Sequence, residues 1–286
     1  MTTKRLKAFL IAGGTSLLLA GCSTEQVRRG LLPGYTDQEV TNHSGRIMNL
    51  WVGTWSAALV IGAAVWGVMF WCLAVYRRRH VDEPVPPQLR YHVPIETLFT
   101  VTPIFMVLTL FFFTARDMAI ITDVSGEPDT QVEIVGKQWA WDFNYLEGNV
   151  YDATVQVDLE SASPDLEDQD IPTLYLPVNE NVEIILKSQD VAHSFWVPAF
   201  LYKEDLIPGR TNVMHVRPER EGIYPGKCAE LCGEFHSEMV LNVKVVPRAE
   251  YEEHMQELRK AGNTGSLPAD LGRAKEQPKQ LSGGKN

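Results

Sequence analysis

The sequence predicts a membrane-anchored chain: a hairpin of two transmembrane helices followed by an all-β domain of Greek-key type. Three observations carry that prediction. Two long uncharged runs lie before residue 116. Residues 130–247 show short stretches that alternate apolar and polar residues, and no amphipathic run of helix length. Turn formers such as "PVNEN" and "IPGR" separate those stretches, as in a sandwich or barrel.

Taken in order, residues 1–21 read as an export signal. Lys4, Arg5 and Lys7 precede an apolar stretch, and "LAGC" (19–22) has the form of a bacterial lipobox, in which Cys22 is lipidated and becomes the mature N-terminus. The competing reading is an uncleaved anchor helix with Cys22 buried or interfacial. Cleavage removes three cations and no anions, taking the formal net charge from −10 to −13. Residues 22–49 then form an extracytoplasmic N-terminal segment. The first span is expected at 50–76, 27 residues without a charge; at about 1.5 Å per residue it crosses a core of roughly 30 Å with room for tilt. The second is expected at 96–117, around the 19 uncharged residues 97–115. A buried core helix is the alternative for each, and two such runs close together speak against it. The connector 77–95 holds "RRRH" (77–80) and Arg90, which keep it cytoplasmic. The lipobox independently places residues 23–49 outside. Both mature termini and everything after Arg116 are therefore expected on the outer face of a bacterial plasma membrane.

The β domain is expected over 118–250. Its strand-like stretches are "QVEIVG", "WAWDFNY", "ATVQVDL", "TLYLPV", "NVEIILKS", "SFWVP", "NVMHV" and "VLNVKVV". The acidic insert "ESASPDLEDQD" (160–170) reads as a solvated loop. A short helix near "VPRAEYEEHMQELRKAG" and a disordered tail complete the region 251–286. The acidic balance argues against nucleic acid, whose phosphates call for Lys and Arg, and suits a basic protein partner.

The chemistry concentrates in "CAELCGEFHSEM" (228–239), which sets Cys228, Cys232, His236 and Met239 within twelve residues. In an exported domain a Cys pair is commonly a disulfide, so that reading stays open. The C-x3-C spacing differs from the C-x2-C of thioredoxins and zinc ribbons. Thiolates beside a thioether and an imidazole instead select copper. His193, in "SQDVAHSFWVP", lies 35 residues before Cys228, where a β fold can bring it alongside. Two bridging-capable sulfurs with terminal donors fit two metals sharing two thiolates.

These residues closely resemble subunit 2 of the haem–copper cytochrome c oxidases. The resemblance covers roughly residues 40–247, and "HSFWVP", "DLIPGR" and "CAELCGEFHSEM" match its binuclear copper (Cu-A) signature in order and spacing. It implies a cupredoxin-like domain in which Cys228 and Cys232 bridge two coppers. His193, His236 and Met239 are terminal ligands, and Glu230 gives its backbone carbonyl. The Glu230 side chain is further implied in a magnesium site facing subunit 1. Trp139, in "GKQWAWDFNY", matches the residue that receives electrons, although Ala140 stands where many relatives carry Tyr. Glu96, in "PIETLFT", matches the acid at the mouth of a proton pathway. Asp205 and Arg210, in "KEDLIPGR", match the contact with subunit 1 near its haems, or form a structural ion pair.

The implied partners are subunit 1, with haem a and a3/Cu-B, and subunit 3. The implied donor is a cytochrome c, soluble or membrane-tethered, within or outside a bc-type supercomplex. The activity implied is that of an aa3-type oxidase: electrons pass from cytochrome c to subunit 1, where O2 is reduced to water with proton pumping. A quinol oxidase subunit 2 has lost the copper ligands, whereas every ligand position is filled here. A nitrous oxide reductase adds a propeller for which this chain has no room. A free-standing copper carrier or sensor would not need Glu96, "DLIPGR" and a two-helix anchor together. No C-x-x-C-H occurs in these residues, so no fused cytochrome c is expected among them.

Overall fold

The computed structural model describes residues 23–32, 34, 39–77, 87–158 and 171–269. The leader with Cys22, most of the connector, the acidic insert and the end of the tail lie outside the described residues. The chain divides into two units, a helical one and a β one that also takes in residues 33–45.

Among the described residues the helical unit opens with the short helix α1, Thr24–Arg28. Ser23 and Gln26 cap it reciprocally: each side chain accepts the other's backbone N–H, at 3.1 and 3.0 Å. Trp51 then donates its indole N–H to the Gly30 carbonyl at 2.9 Å. The two spans are α2, Ser44–Val75, and α3, Val93–Ile121. Both run past the uncharged stretches, because charges at a helix end do not stop it. Arg46 near the start of α2 and Arg116 near the end of α3 both pair with Asp117, at 3.0 and 2.9 Å. Between the ends the helices show Trp66, Phe70, Trp71, Phe111 and Phe112, each more than half exposed. Such a surface suits hydrocarbon rather than water, and these two helices span the membrane.

The β unit is a pair of five-stranded sheets, ordered β3-β2-β1-β5-β8 and β4-β10-β9-β6-β7. The strands are β1 Thr130–Lys137, β2 Ala140–Tyr145, β3 Val150–Ala153, β4 Thr173–Pro177 and β5 Val182–Ser188. They continue as β6 His193–Val197, β7 Tyr202–Leu206, β8 Asn212–Val216, β9 Gly222–Cys228 and β10 Val240–Val246. Pairing is antiparallel except for β1 with β5 and β4 with β10. Strand β5 alternates buried and half-buried residues without a break, the period-2 signature that its sequence shows. Val132, Ile134, Phe143, Leu174, Ile184, Leu186, Phe195 and Val243 are all fully buried and form the core. This is the cupredoxin-like Greek-key architecture expected.

Three local expectations change. "ATVQVDL" is strand only at its first residue, Ala153, where β3 ends. Strands β7 and β9 were unmarked, since "YKEDL" is mostly charged and "GIYPGKC" holds two glycines and a proline. β7 lies on the edge of its sheet, where charge is tolerated. After β10, helix α4, Arg248–Lys260, buries Tyr251, Met255 and Leu258 on one face.

Candidate metal centre

Strand pairing brings the donors together. Phe195 of β6 pairs with Cys228 of β9, so His193 at the start of β6 comes beside Cys228 at the end of β9. The Ala229 N–H donates to the Ser194 carbonyl at 3.0 Å, and the Cys228 N–H to the Met239 carbonyl at 2.9 Å. These bonds close the loop 229–239 over the end of the sheet. A single turn at His236–Glu238 then turns His236 and Met239 inward.

The Sγ atoms of Cys228 and Cys232 lie 3.9 Å apart. That is nearly double a disulfide bond length of about 2.05 Å, so both thiols are free. His193 Nδ1 is 4.0 Å from Cys228 Sγ, and His236 Nδ1 is 3.5 Å from Cys232 Sγ. Met239 Sδ lies 3.8 Å from Cys232 Sγ, and the Glu230 carbonyl 3.2 Å from Cys228 Sγ. The ligand atoms of His193, Cys228 and Cys232 all fall within 4.8 Å of one another. His193, Cys228, Cys232 and Met239 are buried, while the Glu230 side chain is exposed. The six donors expected from sequence are thus gathered in one cluster.

Electrostatics agree with a cation between the sulfurs. Burial raises the Cys228 thiol, but hydrogen bonds with His193 and the Glu230 backbone bring it below its usual value. Burial and the neighbouring Cys228 push Cys232 up to about 12. Two thiolates this close cannot both stay charged unaided, and a metal held by both removes the conflict. Thiolate, imidazole and thioether donors in this mixture form a cluster suited to copper.

Two residues at the site escaped the sequence reading. Asp190 Oδ1 lies 2.8 Å from His193 Nε2, and its Oδ2 accepts the Gln138 N–H at 2.7 Å. Gln138 in turn donates its side-chain amide to the Cys232 carbonyl at 2.8 Å. The signal for Asp190 was an acid three residues before a histidine, which has meaning only once the loop closes. Burial lowers the His193 imidazolium, but Cys228 and Asp190 outweigh it and leave its pKa raised.

Trp139 is half-buried beside the cluster. Its indole N–H donates to the Cys232 carbonyl at 3.3 Å, and its ring meets Phe235 edge-on at 4.9 Å. Gly233 makes that approach possible: at φ +128° it lacks a Cβ that would stand 3.1 Å from the Trp139 ring. Trp141 is wholly buried against His193 and Phe195, with ring centroids 6.4 and 6.2 Å away.

The remaining predicted residues lie outside the cluster. Glu96 sits in the first turn of α3, where its Oε1 accepts the His92 N–H at 2.8 Å. Asp205 lies 3.7 Å from Lys203 rather than in a pair with Arg210, and Arg210 is exposed.

Residues 130–246 match the family described as cytochrome c oxidase subunit II, periplasmic domain. A probable cytochrome c oxidase subunit 2 from Streptomyces avermitilis is 42% identical, aligned over 95% of this chain and 92% of its own length. Its counterpart from Streptomyces coelicolor is 41% identical over the same shares. Among solved structures, the periplasmic domain of cytochrome oxidase subunit II from Bradyrhizobium japonicum is 29% identical. It covers 48% of this chain and 97% of its own, with a TM-score of 0.43.

Proposed function

This chain belongs to the cytochrome c oxidase subunit 2 family, and on that premise we propose that it holds a binuclear copper centre that relays electrons from cytochrome c to subunit 1. As a member it is a subunit of a respiratory oxidoreductase that works with a haem–copper oxidase complex in the membrane. The observation that carries the reading is the pair of free, buried sulfurs 3.9 Å apart, with an imidazole nitrogen near each. Cys228 and Cys232 would hold both ions, with His193, His236, Met239 and the Glu230 carbonyl as terminal donors. Copper held by these residues would supply one-electron transfer.

The protein's own part is to keep that ligand set rigid and dry. Asp190 fixes the His193 ring, while the hydrogen bonds of Ala229 and Cys228 hold the ligand loop. Trp139 is the proposed receiving residue: it is part-exposed and hydrogen-bonded to the backbone of a bridging cysteine. The donor is a cytochrome c, drawn to an acidic outer domain. Electrons go on to the haems of subunit 1 for reduction of O2 to water with proton pumping. Glu96 is proposed at the proton pathway mouth, the Glu230 carboxylate at a magnesium site, and Asp205 and Arg210 at the subunit 1 contact. Cys22 is proposed as the lipid attachment point.

The test is to purify the membrane complex through this subunit and measure its metals. Two coppers per chain with a mixed-valence EPR signal are expected. A Cys228–Cys232 disulfide, or a single copper in the fully loaded chain, would refute the assignment.

A further inference from the structure

The helical unit carries a cavity system that the copper chemistry does not use. One cavity of about 380 Å³ lies between α2 and α3 near their outer ends, lined by Asn49, Gly53, Phe113, Arg116 and Asp117 among others. A second, of about 510 Å³, continues deeper along the same helices past Ala57, Ala58, Val101, Phe105 and Met106. Thr54, Thr109 and Leu110 line both, so the two form one groove. From Arg116 to Val101 it follows α3 for about 22 Å, more than one leaflet of a roughly 30 Å core.

The groove is strongly polarised along its length. The Thr54 and Thr109 hydroxyls are spent on the carbonyls of Leu50 and Phe105 in their own helices, at 2.7 and 2.8 Å. Small side chains at Gly53, Ala57 and Ala58 open the space on α2. Charge occurs only at the outer mouth. There one buried carboxylate, Asp117, meets two guanidinium groups, Arg46 and Arg116. These three groups together carry one net positive charge. Arg116 keeps about half its side chain exposed there.

We propose that this groove binds one phospholipid of the outer leaflet, its phosphate on Arg116 and an acyl chain running inward past Ala57 and Ala58. A phosphate diester supplies the single negative charge that the mouth lacks, and guanidinium groups bind phosphate well. An acyl chain suits the uncharged remainder. A partner helix without an acidic side chain would meet the apolar stretch but would leave the cation unanswered. A quinone would do the same.

The experiment purifies the full chain in mild detergent and quantifies co-purified lipid by mass spectrometry. About one phospholipid per chain should survive washing. Arg116→Gln should lower retention roughly tenfold, as expected for loss of one charge-assisted hydrogen bond. Gly53→Leu, which fills the groove and leaves the ion pairs alone, should lower it similarly. A photo-reactive residue at position 58 should gain the mass of a phospholipid. Retention unchanged in both variants, or a photoadduct with a quinone or another oxidase subunit, would overturn the proposal.

Discussion

Asp190 stands behind His193: its Oδ1 lies 2.8 Å from the ring nitrogen that faces away from the sulfurs. The same carboxylate accepts the backbone N–H of Gln138 on the neighbouring loop. One acid therefore sets both the His193 ring and the segment that carries Trp139. Asp190→Ala should weaken copper binding by about 10–100-fold, the usual cost of losing such an outer hydrogen bond. A chelator competition titration measures it, and unchanged affinity would show that packing alone orients the ring.

Cys232→Ser should abolish the two-metal site and leave the β domain folded. Cys232 contacts Cys228, His236 and Met239 together, so its loss separates the donors on its side. Cys232 is itself part of the buried cluster, but serine keeps nearly its shape and the many other buried residues of the two sheets are untouched. Copper stoichiometry and EPR, read beside circular dichroism, check both halves of the prediction. A retained mixed-valence signal would sink it.

Trp139→Ala should slow reduction by the native donor while leaving copper content unchanged. Trp141→Ala should instead act on stability, costing about 3–5 kcal/mol, because that ring is wholly buried. A soluble donor should also show association rates that fall as salt rises, since the acidic charge is screened. Stopped-flow reduction and thermal unfolding separate the two tryptophans. Equal reduction rates with and without Trp139 would remove it from the path.

Glu96→Gln should slow proton delivery without disturbing α3. Gln keeps an oxygen to accept the His92 N–H, so the helix start survives while the charge goes. Turnover and copper reduction should therefore part company. Unchanged steady-state turnover between about pH 6 and 9 would count decisively against the assignment.

His254 should make stability depend on pH. Burial lowers its pKa below 6.5, Glu257 opposing and Lys244 assisting, and its ring stacks on Tyr175 at 3.8 Å. The unfolded chain takes up the proton near pH 6.5, while the folded one resists until a lower pH. This contribution is therefore complete above 6.5 and is lost as pH falls toward the folded value. His254→Phe, which keeps a stacking ring, should flatten the fall in melting temperature across that window. An identical pH profile for the variant would assign the dependence to other groups.

Much of this architecture was legible in the chain itself. The spans announce themselves as uncharged runs, and β5 by strict alternation. The ligand motif shows because Cys228, Cys232, His236 and Met239 are close in sequence. What stayed hidden depends on tertiary closure. Strand β9 is held by β6 and β10 despite "GIYPGKC", whose composition argues against a strand. Asp190 and Gln138 are 52 residues apart, and nothing in either segment marks their meeting.

Strand β10 is the last strand of the chain, yet it lies inside its sheet, between β4 and β9. A chain crossing the membrane N-terminus first therefore cannot close that sheet until residue 246 has emerged. Until then β4 and β9 both present an unpaired edge on the outer side. His236 and Met239, which immediately precede β10, are seated by the same closing step. The cluster proposed to hold copper and the sheet are consequently completed together, at the end of translocation rather than along the way.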